Sequence, residues 1–336
     1  MEGSRDTPVV LFVFNRPNPT ARVWAAIRHW QPARLFVVAD GPRRRYPDDA
    51  EQCRRVRDCV ATIDWPCQVT RFYAEGNLGC RQRINSGLDA VFTVVDQAII
   101  LEDDCLVADD FFRFCSSLLA RYRDDTSIHA ICASNYLPAP EGQCGTYSAT
   151  RYPCSWGWAT WRRAWAQADP TLTFWPQWRD SSDWLQCFPE RLERWYWTLL
   201  LDDCLAGRID TWDIPWWANI WHQRGYVLMA HRTLVSNIGF GADGTHTIDR
   251  HHPLADRPLQ PLGRLVHPAH LALDTGREQQ AFAIGMDGAK LRWPFGVYTL
   301  PRLWLGQRYR MLRQSWQQRL RQAAGRAEHD VAICRL

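Results

Sequence analysis

The 336-residue chain lacks several features that would assign it to a familiar class of protein. No apolar run approaches the roughly 20 residues that a membrane-spanning helix needs. Met1 to Thr7 contain no apolar core of a signal peptide, so we expect none to be present. The net charge is only +4, and no basic stripe interleaved with aromatic residues occurs early in the chain. Both observations argue against nucleic acid as a partner.

Cysteine pairs at metal-binding or redox spacing are also missing. The twelve cysteines are scattered singly, without a C-x-x-C pair, in a chain that is long enough to form a full hydrophobic core. Cys115 and Cys132 lie within apolar segments. We therefore predict reduced, mostly buried thiols in a cytoplasmic protein that is at most peripheral on the inner face of a membrane.

The two best-known glycine motifs for phosphate binding are absent where they would be needed. G-x-G-x-x-G does not follow the first predicted strand, and G-x-x-x-x-G-K-[ST] occurs nowhere in the chain. These absences argue against a Rossmann dinucleotide site and against a P-loop.

The most informative stretch joins an apolar run to three acids. Ala98 to Leu101 are apolar, and Glu102, Asp103 and Asp104 follow. A short apolar run is typical of a strand buried on both faces in a parallel sheet, so the acids must lie where that strand ends. Open α/β sheets bind ligands at that edge, and clustered carboxylates suit Mg²⁺ or Mn²⁺ shared with substrate phosphates. The alternative is an acidic strand end that is merely solvated.

Apolar runs and helical periodicity alternate before this stretch. Strands are predicted at Val9 to Phe14, Leu35 to Ala39 and Gln68 to Tyr73, and helices from Pro19 with Asn18 as N-cap, from Asp48 or Asp49, and after Gly79. The β-α-β order predicts a parallel sheet flanked by helices. Asn15, Arg16 and Asp40 follow two of these strands, so we expect them to share one crevice with the three acids.

The second half of the chain is rich in tryptophan. Most of the nineteen tryptophans lie between Trp156 and Trp221, and we expect most of them to form core. Helices are predicted at Phe111 to Arg123, at Leu192 to Leu205 and from Asp213 as N-cap, and strands at His129 to Ala133 and Val227 to Val235. Glycines among residues 237–246 indicate a flexible loop that would close over phosphates.

The segment 302–326 contains seven arginines and no acid, with leucine, tryptophan and tyrosine among them. This basic amphipathic pattern would suit peripheral contact with an anionic membrane. The alternative is a helix that packs its apolar stripe onto the domain.

Taken together, these pieces resemble a GT-A fold nucleotide-sugar glycosyltransferase of the N-acetylglucosaminyltransferase I type, with bacterial hemolytic-protein-like and family 2-like relatives. The likeness covers about residues 8–250 and implies a Rossmann-like, mostly parallel central sheet with a Trp-rich acceptor half. The matching pieces are Asn15-Arg16-Pro17, Asp40-Gly41, Asn77-Leu78-Gly79, Glu102-Asp103-Asp104 as a variant of the Asp-x-Asp motif, Gly157-Trp158, Trp212-Asp213, Phe240-Gly241 and Gly244-Thr245. A long segment between Gly157-Trp158 and Trp212-Asp213 departs from the family pattern.

The resemblance implies a role for each matching residue. The nucleotide would be bound by Asn15, Arg16, Asp40, Asn77, Arg83, Asp103 and Thr245. The metal, Mn²⁺ or Mg²⁺, would be held by Asp104 with Glu102, and His246 is a further candidate ligand. The acceptor would meet Gly157, Trp158 and Trp212, and the catalytic base would be Asp213.

The resemblance also implies the reaction: transfer of a sugar from a UDP-sugar, with N-acetylglucosamine as the first guess, to a hydroxyl of a glycan or lipid-linked acceptor. One displacement with a general base inverts the anomeric centre, and the metal with Arg81 or Arg83 would stabilise the leaving diphosphate. We expect a nucleotide-sugar half (1–135), an acceptor half (136–250) and a C-terminal extension with a basic amphipathic helix (251–336).

Several alternatives stay open. Asp40 could only start a turn, and Asp213 could only cap a helix, with Asp210 or the Asp202-Asp203 pair as base. A nucleotidyltransferase that makes nucleotide sugars is a second function, although it would want a glycine-rich loop after the first strand. A non-catalytic membrane- or carbohydrate-binding protein is a third.

Overall fold

The computed structural model describes residues 4–140, 145–241, 254–292 and 294–313. The strands are β1 (Val9–Val13), β2 (Arg34–Ala39), β3 (Gln68–Tyr73), β4 (Gln97–Glu102), β5 (Cys105–Val107), β6 (Ile128–Cys132), β7 (Tyr147–Thr150), β8 (Trp158–Trp161), β9 (Tyr226–Ala230) and β10 (Val235–Asn237). The helices are α1 (Pro17–Trp30), α2 (Asp49–Cys59), α3 (Cys80–Phe92), α4 (Asp110–Arg121), α5 (Arg162–Trp165), α6 (Trp175–Trp178), α7 (Ser182–Cys187), α8 (Arg191–Leu205), α9 (Asp213–His222) and α10 (Thr275–Gly285). A 3-10 turn spans Gly288–Leu291, and residues 296–313 are helical.

Eight strands form one central sheet in the order β3-β2-β1-β4-β8-β6-β9-β7. Strands β1 to β4, β6 and β9 run in one direction, whereas β7 and β8 run against them. The inner strands β1 and β2 are buried almost throughout, because helices cover both faces of their apolar runs. The predicted fold class, a mostly parallel sheet flanked by helices, is confirmed, and it is consistent with a GT-A fold.

The strand order contains a switch point between β1 and β4. From β1 the chain moves to β2 and β3 on one side and then returns to place β4 on the other side. In an open α/β sheet this reversal leaves a crevice beyond the carboxyl ends of the two strands, where ligands bind.

A small second sheet pairs β5 with β10 antiparallel, with Asn237 opposite Cys105. Because β5 follows the acidic strand end directly, this ribbon carries residues 237–241 back to the carboxyl ends of β1 and β4. The sequence analysis missed β5, whose three residues are too few to show an apolar period.

Most tryptophans of the second half are buried, as expected, and all of these except Trp161 pack on one face of the sheet. Those with less than a tenth of their surface exposed are Trp158, Trp161, Trp165, Trp175, Trp178, Trp184, Trp197, Trp212, Trp216, Trp217 and Trp221. The rings of Trp158, Trp165, Trp212 and Trp216 contact one another, and the others, apart from Trp161, form a second group joined through Phe188, in which the Trp197 and Trp221 ring centroids are 4.8 Å apart. No helix in the described ranges has both the length and the apolar character needed to cross a membrane.

Two predicted helix starts were wrong. Helix α1 begins at Pro17, with Arg16 as its N-cap, rather than at Pro19. The Thr20 backbone N–H already bonds to the Arg16 carbonyl at 3.2 Å, and Pro17 fits the first helical position because it needs no donor there. Helix α9 has Trp212 as its N-cap, so Asp213 lies inside its first turn.

Strand predictions also needed correction in the second half. The extended segment predicted at residues 227–235 is two strands, β9 and β10, in different sheets. Strands β7 and β8 were missed, and the near-helical spacing of Trp158 and Trp161 conceals a strand. Short strands rich in aromatic residues are set by their sheet neighbours rather than by their own pattern.

Candidate active site

The inner strands deliver their first polar residues to the crevice at the switch point. Strand β1 is followed by Asn15 and Arg16, β2 by Asp40, and β4 ends at Glu102, which lies opposite Phe12 of β1. The runs before these residues are buried and apolar. Polar groups are therefore concentrated at the carboxyl ends of these strands, which is the edge predicted from the sequence.

Arg16 is a buried cation of this crevice. Its Nη2 donates to Oδ1 of Asp103 and, at 3.0 Å, to Oδ2 of Asp104. Asp103 is 3% exposed, and its Oδ2 also accepts from the Phe14 backbone N–H at 3.3 Å. Burial works against the charge on Arg16, but the two carboxylates raise its pKa above the ordinary value. The guanidinium therefore stays charged and orients both acids.

Carboxylates outnumber this cation. Burial, then repulsion from Asp104 and Asp103, raises the pKa of Glu102 well above its usual range, and the charge of Asp213 adds to the shift. Burial also raises the pKa of Asp103 to about 6, although Arg16 opposes the change. Four carboxylates that act on one another around a single guanidinium leave a surplus of negative charge, which a bound cation would relieve.

The segment after β10 lies directly against Asp104. The Asp104 carbonyl accepts from the Ile238 backbone N–H at 2.9 Å. A Cβ on Gly239 would come within 2.2 Å of Asp104 Oδ2 and 2.7 Å of Arg16 Nη1. Only glycine leaves room for the ion pair at this position. The sequence signal for this role was the glycine-rich loop itself, which was interpreted as a lid rather than as a wall of the acid cluster.

The carboxylates of the cluster suit a metal ion that is shared with phosphates better than one held by protein side chains alone. The part of the chain that the structure describes has no group of three His, Cys, Asp or Glu side chains that could hold a metal ion by themselves. Mg²⁺ in nucleotide sites is usually held by one or two carboxylates, with phosphates and water completing its shell. Glu102 and the buried Asp104, with the negative surplus around them, fit a divalent cation that is shared with phosphates.

Asp40 organises the loop before α3. Its Oδ1 accepts from the backbone N–H groups of Gly41 and Leu78 at 2.8 and 2.9 Å. Its Oδ2 accepts from the Asn77 side chain and the Gly79 backbone N–H at 2.9 and 3.1 Å. A carboxylate offers about four lone-pair positions, so the protein already occupies all of them. This arrangement favours the turn-forming alternative for Asp40, with the Asn77 amide bound to the same carboxylate.

Asn15 points toward the start of α2. Its Nδ2 donates to Asp49 at 2.8 Å, and Arg43 holds the same carboxylate through Nε at 2.6 Å. The hydrogen bonds from Arg43 lower the pKa of Asp49 to about 2, although burial acts in the opposite direction. Arg43 also lies over the rings of Phe14 and Tyr46. The sequence analysis missed Arg43, although a run of three arginines directly after the second strand could have identified it.

The two arginines expected at the phosphates lie elsewhere. Arg83 donates from Nη2 to the Phe72 carbonyl of β3, and burial lowers its pKa. Arg81 donates to the Pro170 carbonyl at 2.8 Å on the outer side of α3. Neither contacts the acid cluster, which leaves Arg16 as the guanidinium that does so among the described residues.

Asp213 belongs to the same electrostatic neighbourhood as the acid cluster. Cys80, the first residue of α3, shows this most directly. Burial raises the pKa of its thiol, and the carboxylates of Glu102, Asp213, Asp104 and Asp210 each add to the shift. Four acids from two segments, residues 102–104 and 210–213, therefore act on one buried thiol. The sequence analysis gave no role to Cys80, and nothing in its local pattern marks it.

Hydrogen bonds hold Asp213 by one oxygen. Its Oδ1 accepts from the Thr211 hydroxyl and from the Ile214 backbone N–H, the latter at 2.9 Å. The alternative bases are placed differently. Asp202 accepts from the Trp175 indole N–H at 2.9 Å, and Asp203 is fully buried between two arginines, whereas Asp210 is exposed.

The predicted acceptor residues lie in or against the aromatic core. Trp158 is 2% exposed and stacks on Trp212 at 5.6 Å between ring centroids. Gly157 has φ +63°, and a Cβ there would meet Val235 at 2.6 Å. These contacts give all three residues a packing role. Thr245 and His246 lie outside the described residues.

Two open cavities flank the Asp40 loop. One of about 380 Å³ is lined by Pro42, Arg44, Ala74, Glu75, Gly76, Asn77 and Leu78. The other, of about 470 Å³, is lined by Leu78, Arg81, Gln82, Asn85, Ser86, Asp89, Pro170 and Asp210. The second is polar and reaches Asp210, three positions before Asp213 in the chain.

Known proteins resemble this chain only weakly. The sequence matches no protein-family profile and no curated protein. Similar solved structures include a UDP-glucose pyrophosphorylase complexed with UDP-glucose, at 10% identity over 49% of this chain and 81% of that chain, with a TM-score of 0.28. Another is a mannosyltransferase from Pyrobaculum calidifontis in complex with GDP-Man and Mn²⁺, at 11% identity over 65% of this chain and 69% of that chain, with a TM-score of 0.34.

Proposed function

We propose that this protein is an inverting, metal-dependent glycosyltransferase that moves a sugar from a UDP-sugar to a hydroxyl group of an acceptor. The observation that carries the proposal is the acid cluster at the switch point. Glu102, Asp103 and Asp104 hold more negative charge than Arg16 balances, and Asp213 acts on the same cluster. An acidic strand end that is merely solvated would not be buried, and it would not lie near a further carboxylate such as Asp213.

The donor diphosphate belongs at this cluster. Asp104 and Glu102 are the residues that would hold Mn²⁺ or Mg²⁺, which when bound supplies positive charge to the leaving diphosphate. Arg16 keeps Asp103 and Asp104 in place through its two hydrogen bonds. The backbone at Gly239 passes close to Asp104 and Arg16 of this cluster. We place the nucleoside beside Asn15 and the loop that Asp40 organises.

Asp213 is our candidate for the general base. Both of its hydrogen bonds within the described part of the chain fall on Oδ1, so Oδ2 is directed to no protein donor there. In the displacement, the acceptor oxygen bonds to the anomeric carbon, the bond from that carbon to the phosphate oxygen breaks, and Oδ2 takes the hydroxyl proton. Attack opposite the leaving group inverts the anomeric centre.

The acceptor is proposed to be a glycan or lipid-linked glycan. The cavity of about 470 Å³ presents amide, hydroxyl and carboxylate groups from Gln82, Asn85, Ser86 and Asp210. Such groups match the hydroxyls of a sugar, and Asp210 leads directly into α9. N-acetylglucosamine remains the first donor sugar to test.

The test is titration of the protein with UDP, with and without Mn²⁺. We expect binding that depends on Mn²⁺ and that weakens by at least tenfold in Asp104→Ala. Asp96→Ala is the matched control, because Asp96 precedes the same strand but has 89% of its side chain exposed and pairs only with Arg162 at the surface. Unchanged UDP binding in Asp104→Ala would overturn the proposal.

A panel of nucleotide sugars then separates this function from its alternatives. Slow hydrolysis of one UDP-sugar, with release of UDP, supports a transferase. Release of pyrophosphate from a nucleoside triphosphate and a sugar phosphate would instead identify a nucleotidyltransferase. Sugar binding with neither reaction would identify a non-catalytic protein.

A further inference from the structure

The helix over residues 296–313 turns its apolar face to solvent. Tyr298 is 72% exposed, Leu312 70% and Tyr309 64%. The same face carries Val297, Trp304, Leu305 and Met311, all classed as exposed, and Phe295 precedes it. Residues 298, 305, 309 and 312, like 297, 304 and 311, recur every three, four or seven positions, so they form one stripe.

The opposite face fastens this helix to the protein. Leu300 and Leu303 pack against the aromatic core. Arg310 donates from Nε to Asp203 at 2.8 Å, and Asp203 is completely buried in α8, where it also accepts from Arg208 at 2.6 Å. The helix therefore has a defined inner face, and the exposed stripe lies on the opposite, outer face.

Positive charge lies within the exposed stripe, at Arg308, and along its edge. Arg302, Arg308 and Arg313 are exposed, and residues 292–313 contain no acid. The Arg308 guanidinium lies over the Trp304 ring at 5.2 Å from its centroid. Tryptophan and tyrosine prefer the boundary between lipid and water, and arginine beside them meets anionic headgroups.

We propose that this outer face docks on the surface of an anionic lipid bilayer. The choice of occupant rests on charge complementarity together with aromatic residues that suit a lipid headgroup region. The sequence allowed a second interpretation, in which the stripe packs onto the domain, but in the structure the domain is contacted by the other face. Membrane contact is independent of the transfer reaction and goes beyond it.

The experiment is co-sedimentation of the full chain with vesicles, measured without donor or acceptor. We expect sedimentation with phosphatidylcholine vesicles that contain phosphatidylglycerol and little with phosphatidylcholine alone. Arg302→Glu with Arg308→Glu should weaken binding by at least roughly 30-fold, because each arginine near an anionic surface contributes about a factor of five. Trp304→Ser with Leu305→Ser should weaken binding to the same vesicles by more than about tenfold, through lost apolar burial.

Arg22→Glu with Arg55→Glu is the control for net charge, because these exposed arginines lie on α1 and α2. It should leave vesicle binding nearly unchanged, and all variants should keep the wild-type melting temperature and Mn²⁺-dependent UDP binding. Absence of sedimentation with anionic vesicles would overturn the proposal. Equal binding to neutral vesicles would overturn it too, as would a stable dimer that the Trp304→Ser with Leu305→Ser variant dissolves. None of these outcomes bears on the proposed transfer reaction.

Discussion

Two buried ionic clusters of this protein contain the same chemical groups in opposite proportions. At Asp203 one fully buried carboxylate meets two guanidiniums, those of Arg208 and Arg310. At the switch point one guanidinium, Arg16, meets the two carboxylates of Asp103 and Asp104, with Glu102 next to them. The first cluster joins α8 to the helix over residues 296–313, and the second lies at the carboxyl ends of β1 and β4.

The difference lies in the sign of the excess charge and in its access to solvent, because the Arg310 side chain is 38% exposed and the Asp103 side chain 4%. An internal carboxylate surrounded by donors has no further need of a ligand, so the Asp203 cluster is structural. Burial raises the pKa values of Glu102 and Asp103, and repulsion from the neighbouring carboxylates adds to both shifts. Such a surplus persists where a ligand compensates it, and this is why the second cluster is our candidate active site.

The largest effect on turnover should come from removing Asp213, the proposed base beside the acid cluster. Asp213→Asn should lower the rate of UDP-sugar turnover by about 10²- to 10⁴-fold, the usual contribution of a positioned base, because the amide cannot accept the hydroxyl proton. UDP binding should stay within about twofold, since Asp213 is not among the proposed metal ligands. Steady-state kinetics with the best donor measures both quantities. Asp210→Asn is the control, and an equal loss there with none at Asp213 would transfer the role to Asp210.

The next effect separates the two clusters by stability. Asp203→Asn should lower the free energy of unfolding by about 3–5 kcal/mol, because it leaves two partly buried guanidiniums without their counter-ion. Asp103→Asn at the switch point should cost much less, since Arg16 keeps its bond to Asp104. Urea unfolding of both variants measures the difference. If Asp103→Asn proved the more destabilising, the contrast between a structural and a functional cluster would fail.

The smallest effect is the pH dependence that Asp103 contributes at the switch point. The pKa of Asp103 is raised from 3.8 to about 6, so the folded state binds this proton more tightly than the unfolded state does. The contribution of Asp103 to stability should therefore fall as pH rises from about 4 to 6, by on the order of 2–3 kcal/mol, whereas His231, whose pKa burial lowers to about 4, contributes in the opposite direction. Mn²⁺ should restore part of it at pH 7 and little at pH 4. The difference between the melting temperatures of the wild type and of Asp103→Asn, followed across this range, measures the contribution of Asp103.

The first half of the chain was predictable because its information is local. Apolar runs such as Val9–Val13 are typical of buried strands, and the carboxyl ends of parallel strands lie at a common edge. The convergence of Arg16 with Asp103 and Asp104 follows from that rule, and so does the mostly parallel sheet. Asp213 was assigned its role by resemblance, and that role stays a prediction.

Only the tertiary structure showed which partners the polar side chains bind and which helix faces are exposed. Sequence patterns could not show that the Asp40 carboxylate accepts hydrogen bonds from the Leu78 loop, or that Arg83 donates to the carbonyl of Phe72 in β3. Nor could they tell whether the stripe in residues 296–313 faces the core or the solvent. Periodicity states which residues share a face, whereas the partner of that face depends on contacts between residues far apart in the chain, here Arg310 and Asp203.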